Sequence, residues 1–208
     1  MKRTVLMNIL ILICFGIKAQ NFEKKIELND SSIINLELKS KGKHFIESWD
    51  KNYALFSVKY DINEKECTPV RINEKGDTIN FIVSNERGRC KSIDTKIYLP
   101  DNNKLKISSV DGQIIIEEGS REISLKVYGG YYIIRKTSGI FVVNAEGGKI
   151  MLEELNGWIE INTEGGTVNI DNSNLEGSIT TMGGTVRLKN VKGEISMNRI
   201  GGDIIVEQ

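Results

Sequence analysis

A glycine recurs every 18 residues through the second half of the chain. The series consists of Gly112, Gly130, Gly148, Gly166, Gly184 and Gly202. Five of the six are the second glycine of a Gly-Gly pair, and the first follows Asp111. A fixed period of about 20 residues is typical of a stacked coil, in which each repeat is one supersecondary unit that packs on its neighbours. The period therefore predicts a solenoid.

Apolar residues follow each of these glycines at the spacing of a β-strand. The positions two and four residues after the glycine are apolar or aromatic in every repeat, from Ile114 and Ile116 to Ile204 and Val206. The same pattern returns nine residues later, from Ile123 onward. Because alternate residues of a strand share a face, these positions form inward rows. Each turn is thus predicted to hold two strands, with the glycines at corners where the backbone needs a positive φ.

The charge pattern at an outward position supports the same register. The fifth residue after each glycine changes sign between most neighbouring repeats, in the series Glu117, Arg135, Glu153, Asp171, Lys189 and Glu207. Opposite charges on adjacent strands stabilise a sheet by about 0.2–1 kcal/mol per pair, so stacked repeats are expected to show such a ladder. We interpret this row as a solvated charged face.

A weaker glycine series falls halfway between the main glycines. It consists of Gly139, Gly157 and Gly193. The series is interrupted at Leu175, and Gly177 occupies a position where an apolar residue is due. We expect a bulge or a shifted corner there.

The first 19 residues have the pattern of a secretory signal peptide. A basic pair precedes the apolar segment 5–17, and Ala19 is a small residue at the expected cleavage site. The apolar segment is short for a membrane span, and no later segment approaches it in length. Lipid attachment at Cys14 is disfavoured because the preceding Ile13 is not small. We expect an exported protein, in the periplasm, on the outer cell surface or outside the cell, with no transmembrane segment after cleavage.

Charge and cysteine content exclude several classes of protein. Without the three basic residues of the signal peptide, the chain has 25 Lys and Arg against 28 Asp and Glu, so it is slightly acidic. A nucleic-acid binder would need a basic surface, and we expect no nucleic-acid partner. Cys67 and Cys90 are the two cysteines that remain, and in an exported chain they predict a disulfide. A metal or thiol site is disfavoured because no second Cys or His lies at ligand spacing, and no cofactor is expected. We expect His44, the only histidine, in an exposed turn.

The region before the repeats also predicts strands. Short alternating runs occur at 25–28, 34–38, 54–60, 79–83 and 96–99. We predict a signal peptide (1–19), an irregular N-terminal β segment (20–103) and a regular coil (104–208), the last two forming one continuous unit. The fold class is all-β, a single-stranded β-solenoid similar to a parallel β-helix, with about six turns of 18 residues preceded by irregular strands.

The register separates this coil from several solenoid families. Calcium-binding glycine-rich repeats require an aspartate where Leu152 stands, left-handed hexapeptide helices require an apolar residue at every sixth position, and ice-binding coils require a regular threonine row. None of these patterns is present. Three segments resemble other domains: the run 45–50 ending in Trp-Asp, the entry Lys96–Pro100 with Leu105–Ile107, and the glycine turns themselves.

In these segments the chain resembles the bacterial "putative adhesin" β-solenoids, also called toast-rack or head-GIN domains. The resemblance implies a secreted or surface domain without enzymatic activity, with a role in adhesion or interaction, and it brings no catalytic residues. The cysteine pair is not expected from the family pattern.

Apolar residues at outward positions are the candidate interaction surface. They are Ile115, Tyr131, Ile133, Met151 and Trp158. We expect the N-terminal strands to pack over the early coil and bury the Ile115–Ile133–Met151 row. The alternative is an open platform for a protein or glycan, because exposed apolar patches usually mark interaction sites. Trp158 together with Tyr131 is the candidate pair for a sugar ring, whereas Trp49 is expected in the packing of the N-terminal strands.

Three functions are compatible with this sequence. The leading one is a non-enzymatic surface or periplasmic interaction module of the adhesin type. The alternatives are a carbohydrate-binding or carbohydrate-processing β-helix and a scaffold or sensor in envelope stress signalling. Carboxylate pairs such as Glu117-Glu118 and Glu153-Glu154 lack an evident pocket that would shift their pKa values, so we expect no enzyme. The coil has no cap after Val206, which predicts a homo-oligomer through an unpaired edge.

Overall fold

The computed structural model describes residues 19–29, 31–62, 67, 69–85 and 90–207. These ranges form strands and their connections, and no helix in them is long and apolar enough to cross a membrane. The predicted signal peptide and Cys14 lie outside the described residues, apart from Ala19, where the first strand begins.

The described residues form strands that we number in chain order. The N-terminal strands are β1 (Ala19–Glu27), β2 (Ile33–Lys39), β3 (Lys43–Trp49), β4 (Tyr53–Ile62), β5 (Val70–Lys75), β6 (Thr78–Ser84) and β7 (Cys90–Pro100). The repeat region holds β8 (Lys104–Ser109), β9 (Gln113–Glu117), β10 (Ser120–Val127), β11 (Tyr131–Arg135), β12 (Ser138–Ala145), β13 (Lys149–Glu153), β14 (Asn156–Thr163), β15 (Thr167–Asp171), β16 (Asn174–Thr181), β17 (Thr185–Lys189), β18 (Ile195–Arg199) and β19 (Asp203–Glu207).

The strands form two facing sheets. Sheet A has ten strands in the order β1-β4-β7-β3-β9-β11-β13-β15-β17-β19, and sheet B has nine in the order β18-β16-β14-β12-β10-β8-β2-β6-β5. From β8 onward each turn of the chain gives one strand to sheet B and one to sheet A, and we call such a pair a rung. Six rungs stack in parallel with residues 18 apart opposite each other. The predicted β-solenoid is confirmed.

The inward rows of the two sheets meet in a continuous core. In the rung of β12 and β13, Phe141 and Val143 of sheet B and Ile150 and Leu152 of sheet A are all fully buried. Each such side chain stabilises the fold by about 2 kcal/mol. The rows predicted from the period are therefore the rows that hold the sheets together.

The main glycines form the first corner, where the chain passes from sheet B to sheet A. Their φ values lie between 71° and 103°. At Gly166, a Cβ atom would stand 2.3 Å from the carbonyl oxygen of Gly148 on the preceding rung. Both the left-handed backbone and the close approach of successive rungs thus require glycine there.

The second corner, from sheet A back to sheet B, carries no glycine signal of this kind. Its left-handed residues are Glu118, Lys136, Glu154, Asn172 and Asn190, with φ between 51° and 62°. The weaker glycine series lies a few residues later, with Gly139 and Gly157 inside β12 and β14 and Gly193 just before β18. At the interruption, β16 pairs with β14 without a register shift, so the predicted bulge is wrong. Leu175 is buried, and the positive φ moves two residues on, to 133° at Gly177.

The N-terminal strands extend the stack beyond the periodic region. β2 and β3 form a rung that stacks in parallel on β8 and β9, and β6 and β7 form the next rung outward. The rung that comes first in the sequence, β2 with β3, therefore lies between two rungs that come later in the sequence. β1 and β4 add antiparallel strands to sheet A, and β5 adds one to sheet B. These strands close the N-terminal end of the stack.

The prediction that His44 lies in an exposed turn is wrong. It is the second residue of β3, faces inward and is fully buried. Its Nδ1 lies 3.0 Å from Thr95 Oγ1 and its Nε2 lies 3.3 Å from Ser40 Oγ. Burial lowers the pKa of His44 to about 4, against the smaller opposing effects of Ser40 and Asp94.

The predicted disulfide is confirmed. Cys67 and Cys90 are bonded, with their Cα atoms 5.5 Å apart, and both are buried. The bond connects the segment before β5 to the first residue of β7. It therefore holds the outermost rung to the antiparallel strands that close the stack.

A buried arginine joins the second rung to the N-terminal strands through a half-exposed aspartate. Arg121 is buried at the start of β10, and its Nη2 lies 3.5 Å from Asp101 Oδ1 and also bonds the Ser48 hydroxyl. Burial lowers the pKa of Arg121, and Asp101 partly opposes this. The Nε and Nη1 atoms find no hydrogen-bond partner in the described protein. Asp101 is therefore the charge that compensates a buried guanidinium.

Removing the carboxylate that faces a buried guanidinium should cost more than removing one that faces an exposed guanidinium. We expect Asp101→Ala to lower the free energy of unfolding by about 2 kcal/mol, because a buried cation loses its partner. Asp203→Ala is the matched control, since its pair with Arg199 has a similar length of 3.4 Å but an exposed guanidinium, and it should cost below about 0.5 kcal/mol. Urea unfolding of both variants measures the difference, and equal losses would contradict this role for Asp101.

Candidate interaction surfaces

The structure divides the five predicted surface residues between two faces of the solenoid. Ile115, Tyr131, Ile133 and Met151 lie on β9, β11 and β13 of sheet A, whereas Trp158 lies on β14 of sheet B. The prediction that Tyr131 and Trp158 form one platform is therefore wrong. The period itself places Tyr131 on the strand that follows the main glycine and Trp158 on the strand that begins nine residues later, so a shared platform did not follow from it.

Sheet A carries four apolar residues in line on its outer face. Phe45, Ile115, Ile133 and Met151 are direct neighbours on consecutive strands, and we call them the apolar strip. At about 4.8 Å between strands the strip is about 14 Å long. Asn169 of the next rung ends it.

The N-terminal strands do not cover the apolar strip. They continue the sheets at the end of the stack, so the expectation that they bury the row is wrong. Phe45 of β3 is 37% exposed, and Ile115, Ile133 and Met151 are half-buried by their neighbours in the sheet. The N-terminal segment therefore lengthens the strip by one residue, Phe45, which sequence analysis missed.

A cavity of about 320 Å³ opens at the N-terminal end of the strip. Its lining includes Phe45, Tyr98 and Ile115. Lys96, Glu47 and Glu117 supply charged groups around these apolar side chains. A cavity of this size suits one large side chain of a partner.

Aromatic residues bound the strip on both sides. The Tyr131 hydroxyl donates to Met151 Sδ at 2.7 Å, and Lys149 Nζ lies 5.6 Å from the Tyr131 ring centre. Trp49 stacks on Tyr98 at 5.1 Å and meets Tyr53 edge-on at 4.7 Å. Trp49 therefore belongs to the packing of the N-terminal strands, as predicted.

The predicted charge ladder lies on the outer face of sheet A, and one ion pair forms within it. Arg135 bonds Glu117 on the preceding rung, and the predicted charge ladder stacks in register from Glu117 to Glu207.

In the part of the chain that the structure describes, no three His, Cys, Asp or Glu residues form a group that could hold a metal ion.

Sheet B presents a smaller apolar surface. Ile140 and Trp158 are neighbours on β12 and β14 and are 44% and 39% exposed. Two open depressions lie beside them, lined by asparagines of the second corner. Sequence analysis singled out Trp158 but missed the asparagines, whose repeated 18-residue spacing was the available signal.

The C-terminal rung is the least covered part of the core. Met197 and Val206 occupy inward rows but are 41% and 59% exposed, and Ile200 at the first corner is 70% exposed. Association of another chain with this rung stays a prediction.

No protein-family model matches the chain, and no curated protein sequence matches it. Solved structures with a similar course of the backbone do exist. A "putative adhesin" from Bacteroides fragilis is 11% identical over 91% of this chain and 97% of its own, with a TM-score of 0.48. One from Parabacteroides distasonis is 13% identical over the same shares, with a TM-score of 0.43.

A "putative cell adhesion protein" from Clostridium sporogenes is also similar. It is 13% identical over 92% of this chain and 100% of its own, with a TM-score of 0.36.

Proposed function

We propose that the protein is an exported, non-enzymatic interaction module of the adhesin type that binds a protein partner through the apolar strip. The observation that carries this proposal is the unbroken row of apolar side chains on the outer face of a sheet. Soluble proteins rarely leave such rows uncovered, and those that do generally use them for binding. The partner is a protein that inserts an aliphatic or aromatic side chain into the cavity beside Phe45.

The scaffold suits this role. The strip lies on strands that are hydrogen-bonded on both sides, so binding would order little backbone and cost little entropy. The Cys67–Cys90 disulfide supports export to the periplasm, the outer surface or the medium, because disulfides persist in oxidising compartments.

Site-specific photo-cross-linking in intact cells tests the proposal. A photoreactive residue at position 133 should give a defined adduct with a partner protein, whereas one at position 187, in the same outward row but beyond the strip, should not. Met151→Lys should weaken the interaction about tenfold or more, because a charge would be placed against a desolvated apolar contact.

Three results would contradict the proposal. They are equal adducts from positions 133 and 187, no adduct at position 133, and recovery of the protein from the cytoplasm instead of the cell envelope or medium. Unfolding curves of Met151→Lys should match those of the unaltered protein, because residue 151 is half-buried on the outer face.

A further inference from the structure

We propose that the second corner of the solenoid binds an uncharged oligosaccharide in an open groove between Trp158 and the asparagines of neighbouring rungs. We call this site the amide groove, formed by Asn156, Asn172, Asn174, Asn190 and Trp158. It shares no residue with the apolar strip on the outer face of sheet A, so the two sites can be tested independently.

The groove combines two adjoining depressions. One has a volume of about 420 Å³ and is lined by Trp158 and Glu176, and the other has about 870 Å³ and is lined by Asn172 and Asn190. Asn156 and Asn174 belong to both linings. The two depressions are therefore one surface that runs from the outer face of sheet B around the second corner.

Glycines leave the indole of Trp158 accessible. Gly139 and Gly157 are neighbours on β12 and β14 and form the floor beside it. A Cβ atom at Gly157 would lie 2.0 Å from the Gly139 carbonyl oxygen, so the stacking of the rungs itself keeps this floor free of side chains. An accessible indole next to Ile140 offers the flat apolar face that suits the C–H face of a sugar ring.

The asparagines pair along the coil and leave matched groups free. Asn174 Nδ2 donates to Asn156 Oδ1 at 3.1 Å, and Asn190 Nδ2 donates to Asn172 Oδ1 at 3.0 Å. The second polar atom of each side chain has no hydrogen-bond partner in the described protein. These atoms are the amide nitrogens of Asn156 and Asn172 and the amide oxygens of Asn174 and Asn190. Each pair thus offers donors at one end and an acceptor at the other. Sugar hydroxyls donate and accept, so they complement both ends.

Charge and strand pairing select against other ligands. Three carboxylates line the groove, those of Glu154, Glu176 and Glu207. Among the described residues that line it, Lys192 is the only cation. Anionic glycans and nucleic acids are therefore disfavoured. Strand β14 is paired on both sides, with β12 and β16, so an extended peptide has no free edge to join beside Trp158.

Titration with uncharged hexasaccharides tests this proposal. The probes are cellohexaose, xylohexaose, maltohexaose and chitohexaose, with hexagalacturonate as the anionic comparison. The sequence has two tryptophans, Trp49 and Trp158. In a Trp49→Phe variant only Trp158 remains, so its fluorescence reports on the groove. We expect at least one neutral probe to shift this fluorescence at millimolar concentration, and hexagalacturonate to bind more weakly.

Calorimetry with the best probe separates the contributions. Trp158→Ala should weaken binding about tenfold or more, Trp158→Tyr should retain most of it, and Asn174→Ala should weaken it about fivefold through lost hydrogen bonds. Tyr128→Ala is the matched control, because Tyr128 is similarly exposed, at 41%, but lies at the first corner. The proposal is overturned if no neutral probe binds, if hexagalacturonate binds equally well, or if Trp158→Ala binds like the unaltered protein.

Discussion

Gly177→Ala is expected to lower the free energy of unfolding by about 4 kcal/mol. Gly177 has a φ of 133° in the middle of β16, a conformation that residues with a side chain rarely adopt. An added Cβ would stand 1.9 Å from the Ile159 carbonyl oxygen on the neighbouring strand. Because that atom belongs to the backbone of a stacked rung, relief requires the two rungs to separate. Backbone strain and overpacking therefore add together.

Gly76→Ala is the control that isolates the steric part. Gly76 also has a positive φ, 57°, but a Cβ there would meet nothing within 4 Å. Its expected cost is about 1 kcal/mol, the ordinary penalty of the left-handed region. Urea unfolding followed by Trp158 fluorescence measures both variants, since Trp158 lies on β14, directly opposite β16. Equal losses at the two positions would show that rung stacking does not constrain Gly177.

The 18-residue period predicts this coil because stacked strands place residues 18 apart directly opposite each other. A rung must return to the same place after 18 residues, so inward rows, the first corner and the charge ladder can all be predicted from spacing. The second corner is not predicted, because Glu, Lys and Asn adopt its left-handed conformation and no glycine recurs there from repeat to repeat. Asn172 and Asn190 gave the only local signal, since asparagine tolerates this region better than most residues.

The N-terminal rungs escape prediction because the chain leaves and rejoins the stack. Gly42 is followed by His44 and Ile46 at the same two inward positions that Ile114 and Ile116 occupy after Gly112. The intervening strands break the 18-residue count, so the equivalence is hidden. Recognising it would have placed His44 inside the core and Phe45 on the apolar strip.

The candidate surface was predicted in part for a related reason. Spacing correctly identified Ile115, Ile133 and Met151 as one outward row. It did not predict whether other strands cover the row, because coverage depends on where the N-terminal strands pack. Spacing also places Tyr131 and Trp158 on the two different strands of a turn, so the pairing of these two residues as one sugar platform did not follow from the period.

His44 is expected to make the protein lose about 3 kcal/mol of stability between pH 6.5 and pH 4. Burial depresses its pKa from the ordinary value of 6.5 to about 4 in the folded protein. Between these values the unfolded chain binds a proton that the folded protein does not. Stability from this group is therefore fully present above pH 6.5, falls as the pH falls, and changes no further below about pH 4. The magnitude follows from about 1.4 kcal/mol for each pH unit.

His44→Gln separates this effect from the titration of carboxylates. Glutamine does not titrate but can still bond the hydroxyls of Ser40 and Thr95, so the difference in stability between the unaltered protein and the variant should change by about 3 kcal/mol from pH 7 to pH 4. Parallel curves for the two proteins would contradict the buried neutral state. Because the chain has a single histidine, its ring resonances in NMR spectra are unambiguous. They should stay in the neutral form at pH 5.5, where an exposed histidine is already mostly protonated.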